Sequence, residues 1–283
     1  GSMTGLVYKG LVKNTQTLTT TKAPTLDLNL SNGFTWNLSK NLSAPNADTE
    51  TAFFDTATIS NGATINGAYG TVANNYILSG NVVSNGGIVN LQDGAAGDKL
   101  TINGNYSANN GIVNLDTVLG DDTSATDKLI ITGNTNGTTA LSVTNVGGTG
   151  AQTVEGIQVV QVDGASDGTF SLAAPVQGGS YEYLLYKNGV STPTDGDWYL
   201  RSTFVATCAN TPALCPVDPI DPVDPPKPPV YIYRPGVALY VTAQSANADA
   251  GFLQMSTLHQ RMGEQRDLPT DKPQTWGRLI GAG

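Results

Sequence analysis

Charged side chains are scarce in this sequence. Only 13% of its 283 residues are Asp, Glu, Lys or Arg, which is about half the share found in an average soluble protein. The chain has 14 basic and 23 acidic residues and a net charge of −9. This balance argues against nucleic acid as a partner, because phosphates require a basic surface. It suits an exported protein with an extracellular surface.

Histidine, cysteine and long apolar runs are also rare. The single histidine, His259, disfavours a catalytic triad, which needs three convergent groups, and a zinc site, which needs about four ligands. We therefore predict no catalytic residue, metal or cofactor. The two cysteines, Cys208 and Cys215, predict a small disulfide loop formed in an oxidising compartment, with two free thiols as the alternative. The sequence contains no run of about 18 apolar residues, so it predicts no membrane-spanning helix.

Internal repeats organise the region that is rich in glycine, asparagine and threonine. Residues 79–91 recur as 103–115, an offset of 24, and residues 98–105 recur as 127–134, an offset of 29. The difference lies in the loop before Asp127, and solenoids tolerate such insertions in loops. Each repeat is too short to bury its own apolar face, so neighbouring repeats must stack.

The apolar stretches within the repeats are strand-sized and bounded by glycine and asparagine. No amphipathic helix intervenes, which disfavours leucine-rich repeats. The pattern predicts an all-β fold, a right-handed parallel β-helix over residues 4–151, in which Ile88 and Ile112 are axial neighbours. Residues 1–3 are interpreted as a cloning scar and excluded from the fold.

Aromatic residues concentrate after position 152. Large aromatics can seal the open end of a solenoid, whose last turn exposes unpaired edges and core. We predict a β-hairpin cap over residues 152–205. Its structural residues are expected to be Tyr181, Tyr183, Leu184, Trp198, Tyr199 and Leu200. A carbohydrate-binding platform is the alternative for the aromatic members of this set.

The remainder of the chain has a different character. Residues 206–229 contain the predicted disulfide loop and a proline-rich linker, which is typical of a semi-rigid polyproline spacer. Residues 230–275 predict a segment with a short α-helix, because apolar side chains recur there at spacings of three or four. Residues 276–283 predict the start of a truncated strand.

Acidic residues in glycine-rich loops are the remaining candidates for chemistry. Asp121, Asp122 and Asp127 belong to the longer loop, whereas Asp93 and Asp98 belong to the shorter one. β-Helical polysaccharide hydrolases and lyases use paired acids, and calcium prefers oxygen ligands on loops. Few basic residues accompany these acids, so we predict solvated loops.

The order of three motifs resembles the autotransporter family of type V secretion. The first motif, residues 179–184 with 197–202, resembles the autochaperone region of pertactin-like passengers. The second and third resemble the segment that enters the outer-membrane barrel and the opening of the first barrel strand; they are residues 233–240 with 257–264, and residues 276–278. The resemblance covers about residues 75–283, with residues 4–75 similar in composition only.

The resemblance implies a passenger that is exported through the periplasm and displayed at the bacterial cell surface or outer membrane. Its implied partners are its own C-terminal outer-membrane β-barrel and the outer-membrane assembly machinery, with a host surface or a second copy as additional partners. The family implies a stalk and autochaperone of an adhesin or virulence factor, not an enzyme, whose capped end folds first. Two alternatives stay open: a self-associating or host-binding adhesive β-helix, and a β-helical carbohydrate-active enzyme.

Overall fold

The computed structural model describes residues 2–4, 26–38, 50–68, 73–204, 230–237, 239–240 and 243. The chain divides into two units, Gly1–Arg234 and Pro235–Gly283. All the strands named here belong to the first unit. In chain order they are β1 (Ser2–Thr4), β2 (Asp27–Leu30), β3 (Thr35–Asn37), β4 (Glu50–Ser60), β5 (Thr64–Asn66), β6 (Asn75–Asn85), β7 (Ile88–Asn90), β8 (Lys99–Asn103), β9 (Tyr106–Thr117), β10 (Lys128–Ile131), β11 (Thr135–Asn145), β12 (Ile157–Val162), β13 (Thr169–Leu172), β14 (Val176–Gly178), β15 (Tyr181–Lys187), β16 (Trp198–Arg201), β17 (Thr203–Phe204) and β18 (Val230–Tyr231).

Most strands pair in parallel with the strand one turn earlier or later. β7 aligns with β9 so that Ile88 lies opposite Ile112. β8 aligns with β10 so that Leu100 lies opposite Leu129. The repeats in the sequence are therefore repeats in space. The predicted all-β fold is confirmed as a solenoid of about five turns, consistent with a parallel β-helix.

Apolar columns run along the interior of the solenoid. Alternate residues of a strand face the same side of the sheet, so residues in register on successive turns lie over one another. One such column contains Trp36, Ile65, Val89, Val113 and Leu141. All five are buried. A single turn contributes few such side chains, so the stability of each turn depends on the turns that flank it.

Asparagines beside this column form a hydrogen-bonded ladder. Asn66 Nδ2 donates to Asn37 Oδ1 at 2.8 Å, Asn90 donates to Asn66 at 2.9 Å, and Asn114 donates to Asn90 at 3.1 Å. Ser142 occupies the next position in register, where the ladder ends. Each of these bonds joins two turns and is worth about 1 kcal/mol. The ladder gives the recurrent asparagines a structural role.

Parallel stacking continues beyond residue 151. β12 pairs in parallel with β10, and β13 pairs in parallel with β11. The antiparallel hairpins begin at β14, so residues up to Leu172 belong to the solenoid instead of to the cap expected from residue 152. The reason lies in the core. Val160 is buried opposite Leu129, which in turn lies opposite Leu100, so β12 extends an apolar column of the solenoid by one turn.

The two ends of the chain differ in how much of each the structure describes. Ser2 and Met3 pair in parallel with Thr35 and Trp36 in β1 and β3, so the structure includes residues that we had excluded from the fold. The proline-rich linker, most of the segment 230–275 that was predicted to contain a helix, and residues 276–283 lie outside the described residues. Within the part of the chain that the structure describes, no helix is long and apolar enough to cross a membrane.

Candidate functional site

The cap is an antiparallel sheet formed by β14, β15 and β16. β16 also pairs antiparallel with β12 of the last turn, where Leu200 lies opposite Ile157 and Trp198 lies opposite Val160. The parallel ladder therefore ends at an antiparallel strand whose other edge is occupied by β15. This arrangement protects an edge that would otherwise remain open for pairing with another chain.

A row of aromatic rings joins the cap to the solenoid core. Trp198 of β16 contacts Phe170 of β13 edge-on, with ring centroids 5.4 Å apart. Phe170 in turn stacks on Tyr106 of β9 at 6.4 Å. All three side chains are buried. Burial raises the pKa of the Tyr106 hydroxyl, which accepts a hydrogen bond from Thr139 Oγ1. The cap and the last turns therefore share one apolar core.

Tyr183 fastens the cap to loops of two earlier turns. Its side chain is fully buried. The hydroxyl donates to the carbonyl oxygen of Gly120 at 2.7 Å and accepts from the Ala151 N–H at 2.9 Å. Burial raises the pKa of Tyr183, so the phenol keeps the proton that it donates. The part-buried Gly120 carbonyl and Ala151 N–H are both bonded by this one side chain.

Asp197 supplies a second polar connection between cap and solenoid. Its carboxylate accepts from the Val162 N–H at 2.7 Å and from Gln158 Nε2 at 2.6 Å. Gln158 Oε1 accepts from Lys128 Nζ at 2.6 Å, which extends the chain of hydrogen bonds to β10. Burial raises the pKa of Asp197. Sequence reasoning did not select this residue, although it directly precedes the conspicuous Trp198.

The loop between β15 and β16 is held against the last turn. The Glu155 carboxylate accepts from the backbone N–H groups of Val190 and Ser191 at 2.6 and 2.7 Å. The hydroxyl of Tyr199 donates to Asp195 at 2.8 Å within the same loop. These bonds fix the hairpin that presents β16 to β12.

The residues expected to form the cap separate into three groups. Tyr183, Trp198 and Leu200 are buried, whereas Tyr181 and Tyr199 are half-buried. Leu184 lies in the cap strand β15, and its side chain is 40% exposed. Neighbouring residues on a strand face opposite sides, so the burial of Tyr183 turns Leu184 outward. The predicted disulfide between Cys208 and Cys215 lies outside the described residues and gains no support from the structure.

The loop acids bind the backbone of neighbouring turns. Asp122 accepts from the N–H groups of Val154, Glu155 and Gly156 at 2.8 to 3.1 Å. This contact joins the longer loop to the segment that enters the last turn. Asp121, by contrast, is exposed and hydrogen-bonds to Thr123 of its own loop, which lowers the pKa of its carboxyl.

Asp127 is buried, which the expectation of a solvated loop did not foresee. Its carboxylate accepts from the N–H groups of Gly97 and Asp98 at 2.9 Å and of Asp116 at 2.7 Å. Burial raises the pKa of Asp127 to about 7, against the opposite effect of these hydrogen bonds. Asp98 is buried in the same way one turn earlier and accepts from the Asn74 N–H. In these two successive turns, the aspartate therefore hydrogen-bonds the corner of its turn to the preceding turn.

A polar cleft of about 400 Å³ lies between the longer loop and the cap. Its lining includes Asp122, Lys128, Glu155, Gln158 and Tyr199. Their polar groups are already engaged by the hydrogen bonds described above. In the described part of the chain, no group of three or more His, Cys, Asp or Glu side chains could hold a metal ion. The cleft is therefore a contact between the longer loop, the last turn and the cap, held by hydrogen bonds.

Residues 78–185 match the family model of the Autochaperone Domain Type 1. The matched range begins in β6 and ends in β15, so it includes both stacked turns and cap strands. The chain carries the autochaperone region of an autotransporter passenger. Tyr106, Phe170, Tyr183 and Asp122 lie within the matched range, where they join the cap to the turns that precede it.

The chain is also similar to known autotransporter adhesins. The chain is 47% identical over 161 residues to the adhesin BmaC autotransporter of Brucella suis biovar 1 (strain 1330), a match that covers 53% of this chain and 4% of that protein. It is 42% identical over 85 residues to the autotransporter adhesin AIDA-I of Escherichia coli, covering 30% of this chain and 7% of that protein. The chain thus spans only a small fraction of the length of these two relatives.

Proposed function

We propose that the cap and the last turns of this chain nucleate the folding of an autotransporter passenger. The observation that carries the proposal is the antiparallel closure of the last turn by β16, together with the buried aromatic row behind it. A solenoid folds by nearest-neighbour stacking from a stable nucleus. A closed, tightly hydrogen-bonded end offers such a nucleus, on which the preceding turns can stack one at a time.

The sequence separation between paired strands also favours folding that begins at the cap. The three cap strands β14, β15 and β16 are consecutive in sequence and pair through hairpins. Forming such local contacts costs less loop-closure entropy than pairing two strands of neighbouring solenoid turns. Once β16 is in place, its pairing with β12 presents a complete last turn to the chain above it. Folding therefore proceeds from the cap toward the upstream turns.

The setting that we propose for this function is the bacterial surface. The two relatives described above are named as autotransporters, which supports a secreted passenger displayed at the outer membrane or cell surface. In this setting, the partners are the chain's own outer-membrane β-barrel and the outer-membrane assembly machinery. Because both relatives are named adhesins, we propose display of an adhesin or virulence factor. We propose no catalytic step, since the carboxylates that suggested one are bonded to backbone N–H groups.

Refolding rates of two tryptophan variants test the nucleation proposal. Trp198 lies in the cap, and Trp36 lies in β3 near the other end of the described solenoid; both are buried. Trp198→Ala should slow refolding, because its contacts form in the nucleus, whereas Trp36→Ala should mainly speed unfolding. Stopped-flow fluorescence on the whole chain measures both rates. Slower refolding for Trp36→Ala alone would overturn the proposal.

A further inference from the structure

A later segment of the chain returns to the cap. Residues 205–229 connect β17 to β18, and β18 pairs antiparallel with β17 so that Thr203 lies opposite Tyr231. The chain then continues as far as Tyr233, which forms an antiparallel bridge with Tyr181 at the start of β15. We refer to residues 230–234 as the latch strand. It pairs in succession with β17 and with the start of β15.

Three further backbone hydrogen bonds hold the latch strand. The Ile232 N–H donates to the Ser202 carbonyl at 2.8 Å, and the Ile232 carbonyl accepts from the Glu182 N–H at 2.9 Å. The Arg234 N–H donates to the Ser180 carbonyl at 3.0 Å. The bonded groups belong to residues 180–182 and 202–204, which together form the cap edge. The latch strand therefore bonds backbone N–H and carbonyl groups of both parts of the cap edge, residues 180–182 and residues 202–204.

The side chains of the latch strand contribute less to its attachment. Tyr233 lies against Tyr181 with ring centroids 5.4 Å apart, and Tyr231 is 6.1 Å from Tyr233. Tyr231 and Tyr233 nevertheless remain 43% and 47% exposed. A short strand that buries little apolar surface opens locally at low cost in free energy. Its attachment therefore depends mainly on the main-chain hydrogen bonds.

The cap edge would be an open strand edge without this segment. The first half of β15 has β14 on its other side, so residues 180–182 have only one edge left for a further strand. An unpaired edge presents N–H and carbonyl groups to any extended chain that reaches it. Addition of such a strand is a known mode of peptide recognition, in which main-chain hydrogen bonds supply the affinity.

We propose that the latch strand is the intramolecular ligand of the cap edge and prevents this edge from pairing with a second copy of the chain. Residues 205–229 connect the strand covalently to β17, so its pairing with the cap edge is intramolecular and benefits from an effective concentration that a separate chain lacks. This concentration sustains a contact that would be weak between separate molecules. The proposal does not rest on the order of folding, so it holds whether the cap forms first or last.

Disulfide trapping in the full chain tests the pairing. In a background of Cys208→Ser and Cys215→Ser, one variant carries Tyr181→Cys with Tyr233→Cys, which are directly opposed. The matched control carries Tyr181→Cys with Tyr231→Cys, which are diagonal. Opposed Cβ atoms lie about 4.5–5.5 Å apart and diagonal ones about 7–8 Å, a separation that a disulfide spans poorly. We expect an intrachain disulfide that forms at least about tenfold faster in the opposed pair. Equal rates, or disulfides between chains, would overturn the proposal.

Two substitutions at Ile232 test the shielding of the cap edge. Ile232→Pro removes the N–H that donates to Ser202, whereas Ile232→Ala retains it. In the trapping background, Ile232→Pro should slow the disulfide of the opposed pair to the rate of the diagonal pair, and Ile232→Ala should not. Sedimentation velocity should then show concentration-dependent dimers for Ile232→Pro alone.

Far-ultraviolet circular dichroism separates these effects from unfolding of the solenoid, because the solenoid signal should stay unchanged in both Ile232 variants. Rapid trapping in Ile232→Pro would show that the described hydrogen bonds do not hold the strand. A monomeric Ile232→Pro variant with slow trapping would show that the open edge does not recruit a second copy. Either result contradicts the proposal, and neither bears on whether the cap nucleates folding.

Discussion

The hydroxyl of Tyr183 donates a hydrogen bond of 2.7 Å to the carbonyl oxygen of Gly120, 63 residues earlier in the chain. The same hydroxyl accepts from the Ala151 N–H. One buried phenol thus connects the cap to the loops that follow β9 and β11. The predictions below follow from contacts of this kind, in which a single side chain joins segments that are distant in sequence.

Tyr183→Phe should lower the free energy of unfolding by about 1–3 kcal/mol, because it leaves the part-buried Gly120 carbonyl and Ala151 N–H without the hydroxyl that bonds them. Urea unfolding followed by tryptophan fluorescence measures the change. The control is Tyr181→Phe, a half-buried residue of the same strand that keeps its ring contact with Tyr233. We expect less than about 0.5 kcal/mol there. Equal effects at the two positions would show that the Tyr183 hydroxyl does not fasten the cap.

Trp198→Ala should destabilise the chain by about 3–5 kcal/mol, because a large buried ring leaves a cavity against Phe170. Leu184→Ala serves as the control on the neighbouring cap strand, since the Leu184 side chain is 40% exposed. Its cost should stay below about 1 kcal/mol. Thermal unfolding of both variants provides the comparison. A Trp198 variant as stable as the original would indicate that this ring serves binding instead of packing.

Asn90→Ala should lower the free energy of unfolding by about 1–3 kcal/mol, because Asn90 takes part in two bonds of the asparagine ladder. Asn109 is exposed on β9, so Asn109→Ala is a matched control with an expected effect below about 0.5 kcal/mol. Chemical denaturation gives both values. If both variants were equally stable, the ladder would contribute nothing to the stacking of the turns.

The pKa of Asp127, raised to about 7 in the folded chain, predicts a pH dependence of stability. A carboxyl in the unfolded chain titrates near about 4, so the folded state binds the proton more tightly. The stability that Asp127 contributes is therefore fully present below about pH 4 and is lost as the pH rises to about 7.

Urea titrations across this range should show a smaller loss for Asp127→Asn than for the original chain. Asp121→Asn is the control: the hydrogen bond from Thr123 lowers the pKa of Asp121, so this group affects stability only near and below about pH 4. The variant should therefore keep the loss of stability between about pH 5 and 7. Parallel curves for the original chain and Asp127→Asn would contradict this prediction.

The repeats allowed the stacking to be predicted, because their offset of 24 residues is explicit in the sequence. Ile88 and Ile112 are indeed axial neighbours. The burial of Asp127 could not be predicted in this way. Its three donors come from Gly97, Asp98 and Asp116, and their convergence depends on how two turns align at a corner.

The cap shows the same limit of sequence reasoning. Its aromatic content was visible, and Tyr183 and Trp198 are buried as expected. The boundary between solenoid and cap was harder to predict. β12 is apolar enough to continue the core of the solenoid, and its partner strands β10 and β16 are distant from it in sequence. Leu184 was named as a cap residue without a prediction of its burial, and the alternation of β15 turns its side chain outward. Asp197 and the latch strand depend on tertiary pairing that no local pattern indicates.

Pulse-labelling hydrogen exchange during refolding of the whole chain tests the central claim most directly. Amides of β12, β15 and β16 should gain protection first, followed by β10 and β11, and then by the upstream strands β4 to β7. Asp122 and Tyr183 predict that the loops near Gly120 and Ala151 become protected together with the cap. Protection that appears first in β4 to β7 and reaches the cap last would contradict a folding nucleus at this end of the solenoid.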